Sequence, residues 1–184
     1  MNLPNKITTA RVALVPFMVF FFMCEEIPYH HIWSLIVFLV ASLTDILDGK
    51  IARTMNIVTD FGKFLDPIAD KILVVSAMVC MIPDICHPLI VIVILFREFI
   101  VSSLRLVAAS QNIVIAASKL GKLKTFSQMI SISTILFLLG LRDLEMYQRN
   151  LVYVSNTLLG ITAAIAIVSC IDYIYKNRRV VGYT

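Results

Sequence analysis

The chain has 184 residues, 59% of them apolar and 15% charged, with a formal net charge of +4. A soluble domain averages roughly half apolar and a quarter charged. The composition therefore excludes an ordinary water-soluble enzyme and points to a polytopic membrane protein whose length is divided among several spans. The basic excess fits attraction to anionic lipid better than nucleic-acid binding.

Residues 1–8, MNLPNKIT, read as an interfacial lead-in, with Pro4 near a helix start. Apolar windows then predict six helices, at about 9–24, 32–53, 64–82, 88–109, 120–141 and 150–175. The first contains Pro16, a place for a kink. Lys6 and Arg11 before the run Val12–Met23 give it the look of a signal peptide. No small-residue cleavage site follows, however, and Phe22 and Met23 are too large to precede a lipidated Cys24, so it reads as the first span. The stretch IPDICHP, Ile82 to Pro88, is a turn rich in helix breakers, with its central four residues the turn proper. The last helix ends in YKNRR, a basic stop at the lipid surface. Neither a linker nor a low-complexity tract interrupts the series, so the expectation is a single membrane domain, 1–184, all-α, with six transmembrane helices and an N-terminal interfacial segment. Cys24, Cys80, Cys86 and Cys170 show no metal-ligand spacing and read as apolar membrane residues; a Cys80–Cys86 disulfide stays open.

Orientation follows from Lys and Arg. Six spans place both termini on one side, and that side collects Lys6, Arg11, Lys50, Arg53, Lys63, Lys119, Lys122, Lys124, Lys176, Arg178 and Arg179. The opposite loops hold Arg142 and Arg149 alone. Both termini are accordingly expected in the cytoplasm. His30, His31 and His87 fall on the outer side and read as interfacial residues; Tyr29 and Trp33 read as interface anchors.

Five aspartates interrupt the apolar pattern between the second and third predicted helices: Asp45, Asp48, Asp60, Asp66 and Asp70. Asp45 and Asp48 are i, i+3 and share a helical face; Asp66 and Asp70 are i, i+4 and share another. A connection of about ten residues would let the two faces meet, bringing four carboxylates to one depth. Like charges that close raise one another's pKa, and partial burial adds a desolvation cost. Hard divalent cations such as Mg²⁺, Mn²⁺ or Ca²⁺ would settle the charge, and two-metal sites recur in phosphoryl chemistry. The competing local reading makes Asp66-Pro67 an N-cap and first helical residue. Asp60 departs from the paired spacing and reads as a loop or capping residue. Gly49 and Gly62 would admit a ligand close to the backbone, Ala52 keeps the Asp48 face open, and Arg53 suits a phosphate or the carboxylates.

The pattern Asp45-x2-Asp48-Gly49-x2-Ala52-Arg53-x8-Gly62-x3-Asp66-x3-Asp70 resembles the signature of the CDP-alcohol phosphatidyltransferases, and the six-helix layout extends the likeness over nearly the whole chain. LPNKITTAR, REFIVSSLR (Arg97 to Arg105) and GKLKT (Gly121 to Thr125) are similar, less specifically, to the phosphatidylglycerophosphate synthase branch. The resemblance implies transfer of a phosphatidyl group from CDP-diacylglycerol to an alcohol with release of CMP. It implies two divalent metal ions, Mg²⁺ or Mn²⁺, held by Asp45, Asp48, Asp66 and Asp70, with Asp70 also the general base. It implies a CDP site lined by Gly49, Arg53, Gly62 and Lys63, with Asn5, Thr8 and Arg11 near its phosphates. It further implies a homodimer in the cytoplasmic membrane with its active site at the cytoplasmic face.

Beyond the signature, Arg97-Glu98 breaks an otherwise apolar helix, and an ion within a span marks a functional site by default. Arg97 and Arg105 lie eight residues apart, about 80° offset around a helix. Glu98 is placed to orient one of these arginines or to pair with Lys71. With Lys122, Lys124 and Thr125 the arginines form an expected pocket for the acceptor's phosphate, which favours glycerol 3-phosphate over uncharged inositol or zwitterionic serine. Lys119 reads as snorkelling or as a topology signal. Inositol phosphate and phosphatidylglycerol remain alternative acceptors. A divalent-cation transporter is a remoter reading, weakened because no carboxylates match the cluster at mid-membrane or on the outer half.

Overall fold

The structure, a computed structural model, describes residues 3–55, 60–111, 113, 115, 118–146 and 150–178; for residues 3–7, 45–55, 60–67 and 70 it describes the helical backbone alone. Six helices and no strands occur among the described residues: α1 Leu3–Met23, α2 His30–Met55, α3 Asp60–Cys80, α4 Pro88–Ser110, α5 Lys119–Asp143 and α6 Leu151–Lys176. Each coincides with one predicted apolar run. The differences lie at the ends.

Helix α1 begins at Leu3, so residues 3–8 are its first turns and not a separate lead-in. Pro4 fits there because the first helical N–H groups have no intrahelical acceptor to lose. The helix continues through Pro16. Helix α3 begins at Asp60, so Asp66-Pro67 lies inside the helix and does not start it. Asp60 instead stands at the helix start, where a carboxylate suits the positive end of the dipole. The connection expected to be about ten residues long shrinks to 56–59. Neither KIARTM nor DFGKFL contains a proline, the residue that most firmly stops a helix. Helix α4 starts as its sequence suggests. His87 is the N-cap, its ring nitrogen accepting from the Leu89 N–H, and Pro88 follows in the first turn. The turn before it runs from Met81 to Cys86, longer than its predicted four-residue centre, and contains a cis Ile82–Pro83 bond. All four cysteines are free thiols, so Cys80 and Cys86 are not joined.

The chain forms two compact units. The first comprises residues 1–81 and 132–151. In it α1 packs against both α2 and α3. Met18, Phe38, Ala41, Leu73 and Met78 are buried, together with Ile132, Ile135, Leu136 and Leu139 on the second half of α5. That α5 series repeats at helical spacing and forms one buried stripe. The Ser34 hydroxyl donates to the Met18 carbonyl at 3.1 Å and ties α2 to α1. At Gly140 a Cβ would lie 2.5 Å from Ile32 Cγ1, so α5 approaches α2 through a position that only glycine fits.

The second unit comprises residues 82–131 and 152–184. Val101, Cys170 and Tyr173 form its buried cluster, flanked by Ile100, Leu104 and Ile115. Ser131 and Thr162 pair through their hydroxyls at 3.0 Å, joining α5 to α6.

By length and apolar composition, α5 and α6 are each able to cross a membrane. Helix α4 carries Arg97, Glu98 and Arg105, and the apolar stretches described in α1, α2 and α3 are shorter. Large apolar side chains are nevertheless exposed along all six helices, among them Phe17, Trp33, Val79, Phe96, Phe126 and Ile171. Apolar surface of that extent suits lipid better than water.

Candidate functional site

The aspartate signature lies on the first unit. Asp45, Asp48, Gly49 and Arg53 belong to α2; Gly62, Lys63, Asp66 and Asp70 belong to α3. For all eight only the helical backbone is described, and the same holds for Asn5. Their backbone positions carry one geometric fact. Asp48 lies seven residues before the end of α2 and Asp66 six residues after the start of α3; Asp45 and Asp70 are each ten residues from the same ends. At 1.5 Å per residue those setbacks are about 10, 9, 15 and 15 Å. The connection 56–59 holds Met55 and Asp60 within about 19 Å of each other even when fully extended. The backbone positions are thus matched in pairs, Asp48 with Asp66 and Asp45 with Asp70, by distance along the helix from the connection.

On α1, Thr8 and Arg11 are i, i+3 and both buried, with Arg11 only 1% exposed. A guanidinium is placed in a protein interior only where partners meet it.

The basic residues lie on the second unit and fall into two groups. Arg97 and Lys124 are buried on either side of Glu98. Arg97 Nη1 donates to Glu98 Oε1 at 2.8 Å and Lys124 Nζ to the same oxygen at 2.7 Å. Arg97 Nη2 donates to Ser169 Oγ at 2.8 Å, and Lys124 also donates to Gln128. The buried Nε of Arg97 has no hydrogen-bond partner among the described residues. Glu98 therefore orients Arg97, one of the two expected roles. One carboxylate oxygen thus receives both buried cations. Gly121, in the first turn of α5, leaves room here: a Cβ would meet the Ser118 hydroxyl at 3.2 Å and Arg97 Nη2 at 3.7 Å.

The other group faces outward. Arg105, Lys122 and Thr125 are exposed. Arg105 Nε donates to the Tyr173 hydroxyl at 3.1 Å, and its guanidinium lies 5.6 Å from the centre of that ring. The Thr125 hydroxyl donates to the Gly121 carbonyl at 3.0 Å, a bond within the helix. The five residues expected to bind one phosphate are thus a buried pair around a carboxylate and an exposed set on α4 and α5. Ser169, Gln128 and Tyr173 complete these networks and were not legible in the sequence, because polar residues in an apolar helix look alike until their partners are known.

A third cluster was missed. His30, His31 and Asp143 gather in the first unit, with one ligand-type atom from each lying within 4.8 Å of the others. Asp143 is 112 residues from His31, a separation at which no sequence pattern signals contact.

Residues 1–170 match the family model described as CDP-alcohol phosphatidyltransferase. Among curated proteins, the chain is 46% identical over 147 residues to the "CDP-diacylglycerol--glycerol-3-phosphate 3-phosphatidyltransferase" of Bacillus subtilis, covering 73% of this chain and 76% of that protein. The protein of that name in Rickettsia bellii is 37% identical over 97% of this chain and 96% of its own length. A "Cardiolipin synthase (CMP-forming)" from Oryza sativa is 35% identical over 98% of this chain and 58% of its own.

Proposed function

The chain belongs to the CDP-alcohol phosphatidyltransferase family, and we propose from that premise that it is a phosphatidylglycerophosphate synthase. It transfers the phosphatidyl group of CDP-diacylglycerol to glycerol 3-phosphate and releases CMP. The observation that carries the acceptor assignment is the name shared by relatives at 46% and 37% identity, one of them aligned over 97% of this chain. The paired cations Arg97 and Lys124 and the exposed Arg105 and Lys122 fit an anionic acceptor.

Four carboxylates on two helices, paired by distance from a short connection, suit hard divalent cations. Asp45, Asp48, Asp66 and Asp70 would hold two such ions, Mg²⁺ or Mn²⁺, which supply charge neutralisation to the phosphates. Gly49, Arg53, Gly62 and Lys63 would receive the CDP moiety, with Asn5, Thr8 and Arg11 toward its phosphates. Arg97, Arg105, Lys122, Lys124 and Thr125 would hold the acceptor's phosphate. Asp70 takes the proton from the acceptor hydroxyl. That oxygen forms a bond to the phosphorus nearer the lipid, the pyrophosphate P–O bond breaks, and CMP carries away the electron pair.

The family is membrane-embedded, and the lysine and arginine asymmetry supports six spans with both termini and the active site at the cytoplasmic face. There the donor keeps its tails in lipid while a soluble acceptor reaches its head. One catalytic domain over the whole chain and a homodimer complete the proposal. The cardiolipin synthase relative favours one competing reading, phosphatidylglycerol as acceptor.

The deciding experiment offers purified protein CDP-diacylglycerol and Mg²⁺ with glycerol 3-phosphate, inositol phosphate, phosphatidylglycerol or serine, and follows CMP. Release driven by glycerol 3-phosphate alone, stopped by chelator and restored by Mg²⁺ or Mn²⁺, is expected. Release driven by phosphatidylglycerol instead would make the protein a cardiolipin synthase, and no release with any acceptor would remove the reading.

A further inference from the structure

The geometry points to a second metal site, for a single Zn²⁺-class transition-metal ion, formed by His30 Nε2, His31 Nδ1 and Asp143 Oδ1. It is separate from the aspartate signature: His30 opens α2, and Asp45 lies fifteen residues further along the same helix, about 22 Å away at 1.5 Å per residue.

Three elements of the first unit build it. Helix α1 ends at Met23, leaving carbonyls near its end without intrahelical donors. His30 Nδ1 donates to two of them, Phe21 and Phe22, each at 3.2 Å. Carbonyl oxygens only accept, so Nδ1 carries the hydrogen, and in the neutral ring the Nε2 lone pair is left bare. That lone pair faces Asp143 Oδ1 at 3.9 Å. Two acceptors facing each other repel unless a cation stands between them.

His31 supplies the third ligand. Its Nδ1 donates to Asp143 Oδ1 at 2.9 Å and Oδ2 at 3.0 Å, its backbone N–H donates to Oδ2 at 3.2 Å, and a metal would bind at Nδ1 by displacing that ring hydrogen. The backbone bond holds Oδ2 in place, and Oδ1, which shares the ring hydrogen of His31, is the oxygen a metal would take when it displaces that hydrogen. The Phe22 ring meets the His31 ring edge to face at 5.0 Å and limits its rotation. The His30 and His31 rings lie 3.9 Å apart.

The spacing suits the ion. Tetrahedral Zn²⁺ with bonds near 2.0–2.1 Å holds its ligand atoms about 3.3 Å apart. The separations of 2.9 and 3.9 Å straddle that value, and one ligand-type atom from each of the three residues lies within 4.8 Å of the others. Two imidazoles and one carboxylate select Zn²⁺ and its neighbours over Mg²⁺. The carbonyls that fix His30 and the backbone N–H that fixes Asp143 are the outer contacts expected of a metal site. Side-chain exposures of 13% for His30 and 10% for Asp143 leave a narrow approach.

The test uses the full-length protein in detergent, stripped by chelator and dialysed against Zn²⁺ in a large excess of Mg²⁺, which keeps hard carboxylate sites filled. One equivalent of Zn²⁺ per chain is expected to remain, and Co²⁺ in its place should show the visible absorption of a low-coordinate nitrogen–oxygen site. His30→Ala and Asp143→Asn should weaken Zn²⁺ binding by at least about tenfold, whereas Asp45→Asn should leave it unchanged. Wild-type protein that retains no Zn²⁺ in Mg²⁺ overturns the proposal, because the cluster is then a hydrogen-bonded clamp holding a proton. Zn²⁺ that survives His30→Ala but is lost with Asp45→Asn overturns it equally. The wild-type measurement decides even if a variant fails to fold, and none of these results depends on the transferase reading.

Discussion

Lys124 Nζ donates to Glu98 Oε1 at 2.7 Å, joining the first turns of α5 to the middle of α4 inside the second unit. Because Arg97 shares that oxygen, Glu98 is the common anchor of two buried cations. Glu98→Gln removes the carboxylate charge that both cations share, a loss on the order of 3 kcal/mol for a buried pair. Thermal unfolding in detergent should show a clear fall in midpoint. Under the proposed reaction, the KM for glycerol 3-phosphate should rise more than that for CDP-diacylglycerol. An unchanged midpoint would mean that the three charges are solvated separately.

Arg105 is exposed and held only loosely, by the Tyr173 hydroxyl and ring face. Its removal should therefore spare the fold. Arg105→Ala is expected to raise the KM for glycerol 3-phosphate about tenfold or more, the worth of one charge-assisted hydrogen bond, with little change for the donor. Tyr173→Phe should give a smaller effect in the same direction. Equal effects on the two substrates would take Arg105 out of the acceptor site.

Asp70→Asn keeps the shape of the side chain and removes its ability to take a proton. General-base catalysis contributes about 10²–10⁴ in rate. Turnover should fall by at least that factor while binding of CDP-diacylglycerol, measured by titration, largely survives. Turnover like that of wild type would return the base role to another group.

Two glycines give a paired test of packing. A Cβ at Gly140 would sit 2.5 Å from Ile32 Cγ1, near the root of a stiff branched side chain; at Gly160 nothing lies within 4 Å. Gly140→Ala should cost about 1–3 kcal/mol through overpacking. Gly160→Ala should be neutral or add up to about 1 kcal/mol, because alanine is the better helix former. Unfolding midpoints of the two variants, measured side by side, should move apart.

Cys86 lies buried in the turn before α4, and burial pushes its thiol above the usual 9.0. A raised folded value means that the neutral form is favoured in the native state. Its contribution to stability is present below the unfolded pKa and is lost as the pH rises toward the folded one. At pH 8 an iodoacetamide reaction should label Cys86 far more slowly than the same residue in denatured protein. Equal rates would show that the turn opens freely.

What the sequence determined by itself was local or pattern-borne. Apolar runs of helical length set six helices, and the breaker-rich turn ending at Pro88 marked the start of α4, because these depend on neighbours within a turn or two. The aspartate spacing carried the family, because i, i+3 and i, i+4 relations follow from helix geometry alone. The tertiary structure decided what depends on distant residues. It ran α3 back to Asp60, so that Asp66-Pro67 lies inside the helix and does not cap it. It gave Glu98 to Arg97 and Lys124, divided the expected phosphate pocket into a buried pair and an exposed set, and brought Asp143 to His30 and His31. The partners in those contacts are up to 113 residues apart. A histidine beside lipid and a histidine beside a carboxylate are the same letter until the chain has folded.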